Sequence, residues 1–315
     1  MRQLHAVLHH DAGPAVEALL ARRRAPWLDL SWTPVRDRAN LPDSLAEADV
    51  LLHVLDPIDD AVMALAPRLR LIQKLGVGVN TIDLDAARGR DIAVCNIPGV
   101  NAIAAAEHAL TLLLAVLRRL PVYHDATRAG MGWLVDPVLG EDCGEVAGRT
   151  VGLVGYGAIA RRVERALLAL DAHVVHTSRA NDGTPTWRTL DDLLATSDVV
   201  SLHVPLTADT DNLLSAERIV RMKPGALLIN TARGGLVDQT ALVDALRRGH
   251  LAGAGLDVFA AEPIASGDPL LAIDRVVVTP HVAWLTGETL ARCLDVAVEN
   301  CRRLHTSEEL LHRVA

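Results

Sequence analysis

Several polar side chains in the last third of the sequence could together carry out acid–base chemistry on a small anion. Arg233 follows the apolar run ALLIN, Asp257 lies in GAGLDV with Glu262 shortly after it, and His281 follows VVVTP. A guanidinium binds a carboxylate with paired hydrogen bonds, and an imidazole exchanges protons near neutral pH. Beside a hydride donor, one cation, one carboxylate and one imidazole are what the reduction of a 2-oxo acid needs.

The runs that precede these residues predict a parallel sheet that gathers them at one edge. Short β-type runs alternate with helical stretches along the chain, which is typical of α/β proteins. Open parallel sheets bind ligands at the carboxyl ends of their strands. We therefore expect Arg233, Asp257 and His281 to lie at one sheet edge. Six strands are predicted in this group: TVGLVG, HVVHT, DVVSLHV, ALLIN, GAGLDV and VVVTP.

A glycine-containing turn opens this second group of strands. The run TVGLVGYGAIARRVERALLAL joins a predicted strand to a helix through Gly155, Gly157 and Ala160. In this spacing the first glycine permits a tight turn, the second lets the backbone approach a pyrophosphate, and the small third residue packs helix on strand. The helix N-terminus then offers free N–H groups to the phosphates. The pattern predicts a dinucleotide site.

The residue that normally selects the cofactor is not acidic here. Dinucleotide folds usually place Asp or Glu about 20 residues after the first glycine, where it accepts a hydrogen bond from the ribose 2′-OH. Ser178 and Arg179 occupy that place. A hydroxyl and a guanidinium can bind a 2′-phosphate, so we expect NADP(H) to be preferred, with NAD(H) possible. Arg179 carries less weight, because only Lys74 and Lys223 among the 31 basic residues are lysines.

An earlier group of runs predicts a second α/β domain. The runs LHAVLHH, LDLSW, ADVLLHV, LRLIQKL and IAVCNI read as strands, and PAVEALLARR reads as a helix. A helix is predicted over 101–121, with Asn101 as its cap and Pro121 at its end, and its nearly all-round apolar surface suits burial between domains or subunits. A second helix over 287–304 would return the chain to the first domain. The predicted domains are 1–100 with 285–315, and 101–284.

Composition limits the possible partners. A net charge of −8 with a pI near 5.9 opposes affinity for nucleic acid or anionic membranes. The longest apolar run falls short of the roughly 20 residues of a membrane span, and the N-terminus shows no secretory signal pattern. The cysteines, which are Cys95, Cys143, Cys293 and Cys301, show no C-x-x-C pair, so we expect neither a metal site nor disulfides. We expect a cytoplasmic protein with a small-molecule ligand.

The full set of motifs resembles the D-isomer-specific 2-hydroxyacid dehydrogenase family. The motifs are KLGVGVNTID at 74–83, the Gly155 turn, LHVPLT at 202–207, MKPGALLINTARGGLVD at 222–238, GLDVF at 255–259 and TPH at 279–281. The resemblance implies a Rossmann coenzyme domain inserted in a flavodoxin-like substrate domain, a cleft between the two, and a homodimer.

The resemblance also implies roles for individual residues. Arg233 would pair with the substrate's carboxylate and carbonyl oxygen, His281 would be the acid–base, and Glu262 would orient His281. The backbone of Leu75, Gly76, Val77 and Gly78 would bind the carboxylate, with Trp284 as a wall of the pocket. Cofactor contacts are expected from Gly155, Tyr156, Gly157, Ala158, Ile159, Ser178, Arg179, His203, Val204, Pro205, Thr231, Ala232, Arg233, Asp257 and His281, with Asp257 facing the nicotinamide carboxamide.

The choice of substrate rests on weaker signals. Trp284 resembles the Trp of family members that act on glycerate or hydroxypyruvate, which favours glyoxylate or hydroxypyruvate as the substrate of an NADPH-dependent reductase. Another 2-oxo acid stays open, as does a dinucleotide-sensing, corepressor-like binding protein. Oxidation of phosphite or formate fits less well, because LGVGVNTID and Glu262 follow the 2-hydroxyacid pattern.

Overall fold

The chain forms two α/β units, each built on its own parallel sheet. The computed structural model describes residues 2–35, 41–131, 133, 141 and 143–315. One unit contains Met1–Asn101 and Leu285–Ala315, and the other contains Ala102–Trp284. Every run predicted to be a strand is a strand, which confirms the α/β class.

The first unit has a five-stranded sheet in the order β2-β1-β3-β4-β5, with all neighbours parallel. This is the flavodoxin-like strand order. Its core strands are buried along almost their whole length, as in sheets covered on both faces by helices. The elements are β1 (Leu4–His9), α1 (Pro14–Ala21), β2 (Leu28–Thr33), α2 (Leu41–Ala46), β3 (Val50–His53), α3 (Asp60–Ala64), β4 (Leu71–Lys74), α4 (Leu84–Gly89) and β5 (Ala93–Cys95).

The second unit has a six-stranded parallel sheet in the order β11-β10-β9-β8-β6-β7. Its hydrophobic core lies on both faces of the sheet. The elements are α5 (Ala102–Leu117), α6 (Leu120–Arg128), β6 (Thr150–Val154), α7 (Ala158–Leu168), β7 (His173–Thr177), α8 (Leu190–Thr196), β8 (Val199–Leu202), α9 (Ala216–Arg221), β9 (Ala226–Asn230), α10 (Gln239–Arg247), β10 (Leu251–Leu256) and β11 (Val276–Val278).

The strand order of the second unit is that of a dinucleotide-binding sheet. Trp187 forms a parallel bridge with His176 on the outer side of β7. Counting that bridge as a rudimentary strand, the first six strands follow the order 3-2-1-4-5-6, which is the Rossmann order. The order reverses between β6 and β8, and the Gly155 turn follows β6 at this switch point. The expected Rossmann fold of this unit is confirmed.

The helix predicted over 101–121 is two helices. α5 ends at Leu117, Arg119 adopts the left-handed conformation with φ 52°, and Pro121 lies in the first turn of α6. Proline suits a first helical turn, because its missing N–H has no intrahelical partner there. The prediction that Pro121 ends the helix was therefore wrong.

The outer face of α5 is a stripe of exposed residues at helical spacing. Ile103, Glu107, Thr111, Leu114 and Arg118 are exposed, and most of the remaining helix surface is buried against the sheet and α7. The predicted burial of this stripe between subunits stays a prediction. Ile103 and Leu114 are each 40% exposed, so the unit presents apolar side chains to solvent there.

The long C-terminal helix predicted over 287–304 is confirmed as α11 (Gly287–Thr306), and it packs on α1 and β1 of the first unit. The buried Asn300 donates its Nδ2–H to Gln73 Oε1 at 2.7 Å. Arg23 pairs with Asp295 at 2.7 Å. Within the described residues, no helix is both long and apolar enough to cross a bilayer.

Candidate active site

The carboxyl edge of the second sheet carries the polar residues predicted from the sequence. Arg233 lies three residues beyond β9, Asp257 directly follows β10, and His281 lies three residues beyond β11. These three strands are parallel neighbours. The structure therefore places Arg233, Asp257 and His281 at one edge of the sheet. We call these three residues, together with Glu262, the catalytic edge.

His281 and Glu262 form a direct pair. His281 Nδ1 lies 2.7 Å from Glu262 Oε2, while Glu262 Oε1 accepts a hydrogen bond from the backbone N–H of Phe259 at 3.0 Å. Burial alone would raise the pKa of Glu262, but the hydrogen bond and charge of His281, the Phe259 N–H and the charge of Arg233 outweigh burial and lower it. Glu262 is thus a carboxylate at neutral pH, and it contacts the ring of His281 on the Nδ1 side.

The backbone at His281 is held in an uncommon conformation. Its φ is 55°, in the left-handed region, which costs a residue with a side chain about 1 kcal/mol. The His281 N–H donates to the carbonyl of Asp257 at 2.8 Å. The next two N–H groups, of Val282 and Ala283, donate to Asp257 Oδ1 and Oδ2 at 2.9 and 2.8 Å. Asp257 therefore anchors three consecutive residues of this turn.

Asp257 was expected to face the nicotinamide, but its carboxylate is fully buried. Besides the two backbone donors, Oδ1 accepts the Thr279 hydroxyl at 2.6 Å. Burial alone would raise the pKa of Asp257, but hydrogen bonds from His108, Thr279, Ala283 and Val282 lower it. The structure thus uses this carboxylate to hold the His281 turn, and a cofactor contact stays a prediction.

Arg233 is positioned by Asn230 and Gly234. Asn230, 1% exposed at the end of β9, donates Nδ2–H to the Arg233 carbonyl at 2.9 Å and accepts the Ala232 N–H at 3.0 Å. A Cβ at Gly234 would lie 1.8 Å from the Phe259 carbonyl oxygen, so only glycine allows the two segments to touch. Burial lowers the pKa of Arg233, and the charge of Glu262 partly offsets this effect.

The Gly155 turn has the geometry that a dinucleotide needs. Gly155 has φ 94°, and a Cβ there would lie 2.6 Å from the His203 carbonyl oxygen. Gly157 has open space where a Cβ would point and offers no side-chain cap to α7. The first N–H groups of α7, from Ala158 and Ile159 onward, therefore lie free of a side-chain cap. These features fit a bound pyrophosphate.

Tyr156 ties the turn to the neighbouring strand. Its ring stacks on the buried His176 ring with centroids 3.7 Å apart and planes 10° apart. The Arg161 guanidinium carbon lies 4.1 Å from the Tyr156 ring centroid, and the Tyr156 hydroxyl donates to Glu164 at 2.6 Å. Tyr156, predicted as a cofactor contact, thus has a clear role in fixing the turn.

The loop over 178–187 carries the predicted selectivity residues. The Ser178 hydroxyl donates to the Ala180 carbonyl at 2.7 Å, and Arg179 is exposed. The carboxylate of the nearby Asp182 already has hydrogen-bond partners. Its Oδ2 lies 2.9 Å from His176 Nε2, and its Oδ1 accepts the Thr184 N–H and hydroxyl at 3.0 and 2.7 Å. Hydrogen bonds from Thr184 and His176 lower the pKa of Asp182 to about 2.

Other predicted cofactor residues lie along the same edge. His203 Nε2 lies 2.9 Å from Ser201 Oγ, and burial lowers the pKa of His203 to about 4, so its ring is neutral at pH 7. The pairs after β8 and β9 complete the set, namely Val204 with Pro205 and Thr231 with Ala232. Their contacts with a cofactor remain predictions.

The predicted substrate loop lies in the first unit, directly after β4. The N–H of the buried Leu75 donates to the His53 carbonyl at 2.8 Å, and Leu75 as a substrate contact stays a prediction. The Gly76 carbonyl accepts the Ile97 N–H at 3.0 Å. Val77 is exposed and accepts Asn96 Nδ2–H on its carbonyl.

Gly76 of that loop is not crowded by the rest of the chain. A Cβ at Gly76 would make only an ordinary 3.4 Å contact with Lys74 Cε, and φ there is outside the left-handed region. The chain itself does not require glycine at Gly76, so any such requirement would come from a ligand. The backbone of Gly76 to Gly78 as a carboxylate site stays a prediction. Trp284, at the end of the second unit, is 8% exposed.

Several residues of the edge were not identified from the sequence. Asn230 had a usable signal, because a polar residue ends an otherwise fully buried strand. Thr279 is part of TPH, but its bond to Asp257 spans 22 residues, and that of His108 to Thr279 spans 171. Among the described residues, no group of three or more His, Cys, Asp or Glu is arranged to hold a metal ion.

Comparison with known proteins assigns the family. A sequence model described as "D-isomer specific 2-hydroxyacid dehydrogenase, NAD binding domain" matches residues 110–283, which is more than half of the chain. The chain belongs to the D-isomer specific 2-hydroxyacid dehydrogenase family. This confirms the family predicted from the motifs.

Members of the family with different names are similarly close to this chain. D-3-phosphoglycerate dehydrogenase from Mycobacterium leprae is 40% identical over 282 residues, 87% of this chain and 52% of that protein, so the chain spans about half of its length. A glyoxylate reductase from Korarchaeum cryptofilum is 40% identical over 268 residues, 82% of this chain and 80% of that protein.

A solved structure of the family also superimposes along almost the whole chain. It is the NADPH-dependent glyoxylate/hydroxypyruvate reductase from Sinorhizobium meliloti in complex with NADP and malonate. The TM-score is 0.82 at 30% identity, with 99% of this chain and 97% of that chain covered.

Proposed function

We propose that the protein is an NADP(H)-preferring D-2-hydroxyacid dehydrogenase that reduces glyoxylate or hydroxypyruvate. The observation that carries the proposal is the 2.7 Å contact between His281 and Glu262 at the sheet edge that also holds Arg233. In this proposal the second unit binds the dinucleotide, and the first unit contributes the substrate loop after β4. The named glyoxylate reductases among its relatives support the substrate class.

The proposed chemistry uses the groups of the catalytic edge. NADPH, when bound, would supply the hydride for C2 of the 2-oxo acid. His281 holds a proton on Nε2 and gives it to the carbonyl oxygen, so that the product is the 2-hydroxy acid. Glu262 holds the other side of the ring and stabilises the charged imidazolium before the transfer. Arg233 pairs with the substrate's carboxylate and orients C2.

The cofactor would be held mainly by backbone groups. The residues after Gly155 would receive the pyrophosphate at the uncapped start of α7, where N–H groups and the helix dipole favour negative charge. Ser178 and Arg179 would bind the 2′-phosphate. The preference for NADP(H) is supported by the absence of an acid at Ser178 and by the occupied carboxylate of Asp182.

The proposed substrates differ from the main alternative in their number of anionic groups. Glyoxylate and hydroxypyruvate carry one carboxylate, for which Arg233 is a sufficient partner. The similarity to a phosphoglycerate dehydrogenase makes a substrate with a second anionic group the alternative within the same reaction class. Trp284 is proposed to form one wall of the pocket.

A homodimer is supported by the exposed stripe of α5. A cavity of about 770 Å³ lies between α5 and α6, and Leu120 beside it is 59% exposed. A second copy of the chain would cover this apolar surface. Light scattering at micromolar concentration should give twice the chain mass of 33.7 kDa. We also propose a cytoplasmic location, since the buried cysteines Cys95, Cys293 and Cys301 are thiols.

A panel of initial rates tests the proposed function. NADPH and NADH are each combined with glyoxylate, hydroxypyruvate, pyruvate and a bulky 2-oxo acid, and loss of the reduced cofactor is followed by absorbance. The highest kcat/KM is expected for NADPH with glyoxylate or hydroxypyruvate. Background rates with every 2-oxo acid, combined with tight NADPH binding, would instead favour a dinucleotide-sensing binding protein.

A further inference from the structure

A buried hydrogen-bond network lies behind the turn that carries His281. Its centre is Asp257, whose side chain has no exposed surface and whose carboxylate accepts two backbone N–H groups and the Thr279 hydroxyl. Thr279 in turn lies 2.9 Å from Nε2 of His108, in the middle of α5. The network therefore connects α5 to the acid–base turn entirely within the second unit.

The direction of each bond in the network follows from the donors available. The carboxylate of Asp257 has no proton to give, so the Thr279 hydroxyl must donate to it, across 2.6 Å. A hydroxyl has only one proton, so Thr279 can only accept from His108. His108 must therefore carry a proton on Nε2, and that same nitrogen lies 3.5 Å from Asp257 Oδ1. His108 is the end donor of a directed chain.

Loss of the end donor would loosen the turn. Without the His108 N–H, the Thr279 hydroxyl is free to rotate toward another acceptor, and the buried Asp257 oxygen loses a donor. Asp257 also holds the N–H groups of His281, Val282 and Ala283 through its carbonyl and carboxylate. The left-handed backbone at His281 persists only while these contacts fix it.

We propose that His108 is a positioning residue for His281, acting through Thr279 and Asp257 to keep the imidazole aligned with Glu262. This role rests on the proposed function, in which His281 transfers the proton. His108 contacts Thr279 and Asp257 behind the His281 turn, so its replacement should affect the proton-transfer step more than binding.

Five variants test the proposal. His108→Leu and Thr279→Val remove the bond from either end, while His108→Gln and Thr279→Ser keep a donor or a hydroxyl at about the same reach. His250→Leu is the matched control. His250 is also partly buried, its ring Nε2 lies 3.1 Å from the Ile219 carbonyl, and it precedes β10 at the opposite sheet edge.

We expect His108→Leu and Thr279→Val each to lower kcat roughly 10-fold, with KM for NADPH and for the 2-oxo acid within about 2-fold of wild type. His108→Gln and Thr279→Ser should recover most of kcat, and His250→Leu should keep it. Wild-type kcat in His108→Leu, or loss of kcat that Gln and Ser do not restore, would overturn the proposal. Should His108→Leu fail to fold, Thr279→Val tests the same bond.

A readout independent of turnover separates this proposal from the proposed function. In a sample labelled with nitrogen-15 histidine, the His281 ring signals can be assigned by their loss in His281→Gln. They should move in His108→Leu and stay in place in His250→Leu. Unmoved signals in His108→Leu contradict the positioning role, whereas a wild-type protein that turns over no 2-oxo acid contradicts the proposed function.

Discussion

The catalytic edge and the 178–187 loop both carry polar side chains and both follow strands of the second sheet. Different kinds of contact hold their side chains in place. At the edge, His281 depends on Asp257 and Glu262, which lie 24 and 19 residues before it, and the anchoring carboxylate is fully buried. In the loop, Ser178 bonds to Ala180 and Asp182 bonds to Thr184 and His176, so every partner lies within six residues along the chain.

This difference separates two kinds of position. At the catalytic edge the fold fixes the side-chain geometry, whereas in the 178–187 loop a side chain can be exchanged for one of different chemistry. Side chains held by buried, long-range contacts cannot be replaced without moving their partners. Side chains on an exposed loop with local contacts can be exchanged at small cost to stability. Acid–base function should therefore be sensitive to single substitutions at the edge, and cofactor preference should be adjustable in the loop.

The largest effect is expected at His281. His281→Ala removes the proposed proton donor, so kcat for reduction should fall about 10² to 10⁴-fold, the usual contribution of a positioned acid–base group. The affinity for NADPH, measured by fluorescence titration, should be retained within a few-fold. Equal loss of NADPH binding and of kcat would mean that the substitution disrupts the edge rather than removing the proton.

A smaller loss of activity is expected from Glu262→Gln. The amide keeps the shape of the side chain but removes the charge that stabilises the protonated ring. Hydrogen bonds to charged groups contribute about 1.5 to 3 kcal/mol, so kcat should fall roughly 10- to 150-fold. Steady-state rates at saturating substrate measure this directly, and wild-type kcat in the variant would contradict the assigned pair.

Substitutions in the 178–187 loop should change the preference between NADPH and NADH instead of the rate of reduction. Ser178→Asp introduces the acid that accepts from a ribose 2′-OH and repels a 2′-phosphate, so the ratio of kcat/KM for NADPH to that for NADH should fall by about 1 to 3 kcal/mol, roughly 5- to 150-fold. Asp182→Asn is the matched control, because this acid already bonds to His176 and Thr184. An unchanged ratio in Ser178→Asp would contradict the assigned selectivity.

The smallest effect concerns pH and stability. The pKa of Glu262 lies below its ordinary value of 4.5 in the folded chain. Its carboxylate therefore stabilises the fold above the unfolded pKa, and this contribution is lost as the pH falls through the folded pKa. The difference in unfolding free energy between wild type and Glu262→Gln should be largest near neutral pH and narrow below about pH 4.5. A constant difference between pH 7 and 3 would contradict the lowered pKa.

The same contrast explains what the sequence could predict. The strands and the Gly155 turn could be predicted from the sequence, because short apolar runs and a fixed glycine spacing each lie within a few neighbouring residues. The end of α5 was missed because Pro121 fits the start of α6 as well as the end of α5. The burial of Asp257 and its bonds to Thr279 and His108 depend on contacts between distant segments, which no local pattern records.

Transfer of a labelled hydride tests the central claim most directly. NADPH carrying two deuterium atoms at C4 is incubated with glyoxylate and either wild type or His281→Ala, and the glycolate formed is measured by mass spectrometry. The account predicts wild-type glycolate with one deuterium on C2, and far less product with His281→Ala at equal NADPH occupancy. NADPH binding without any deuterated glycolate or other labelled 2-hydroxy acid would contradict a reductase built on His281.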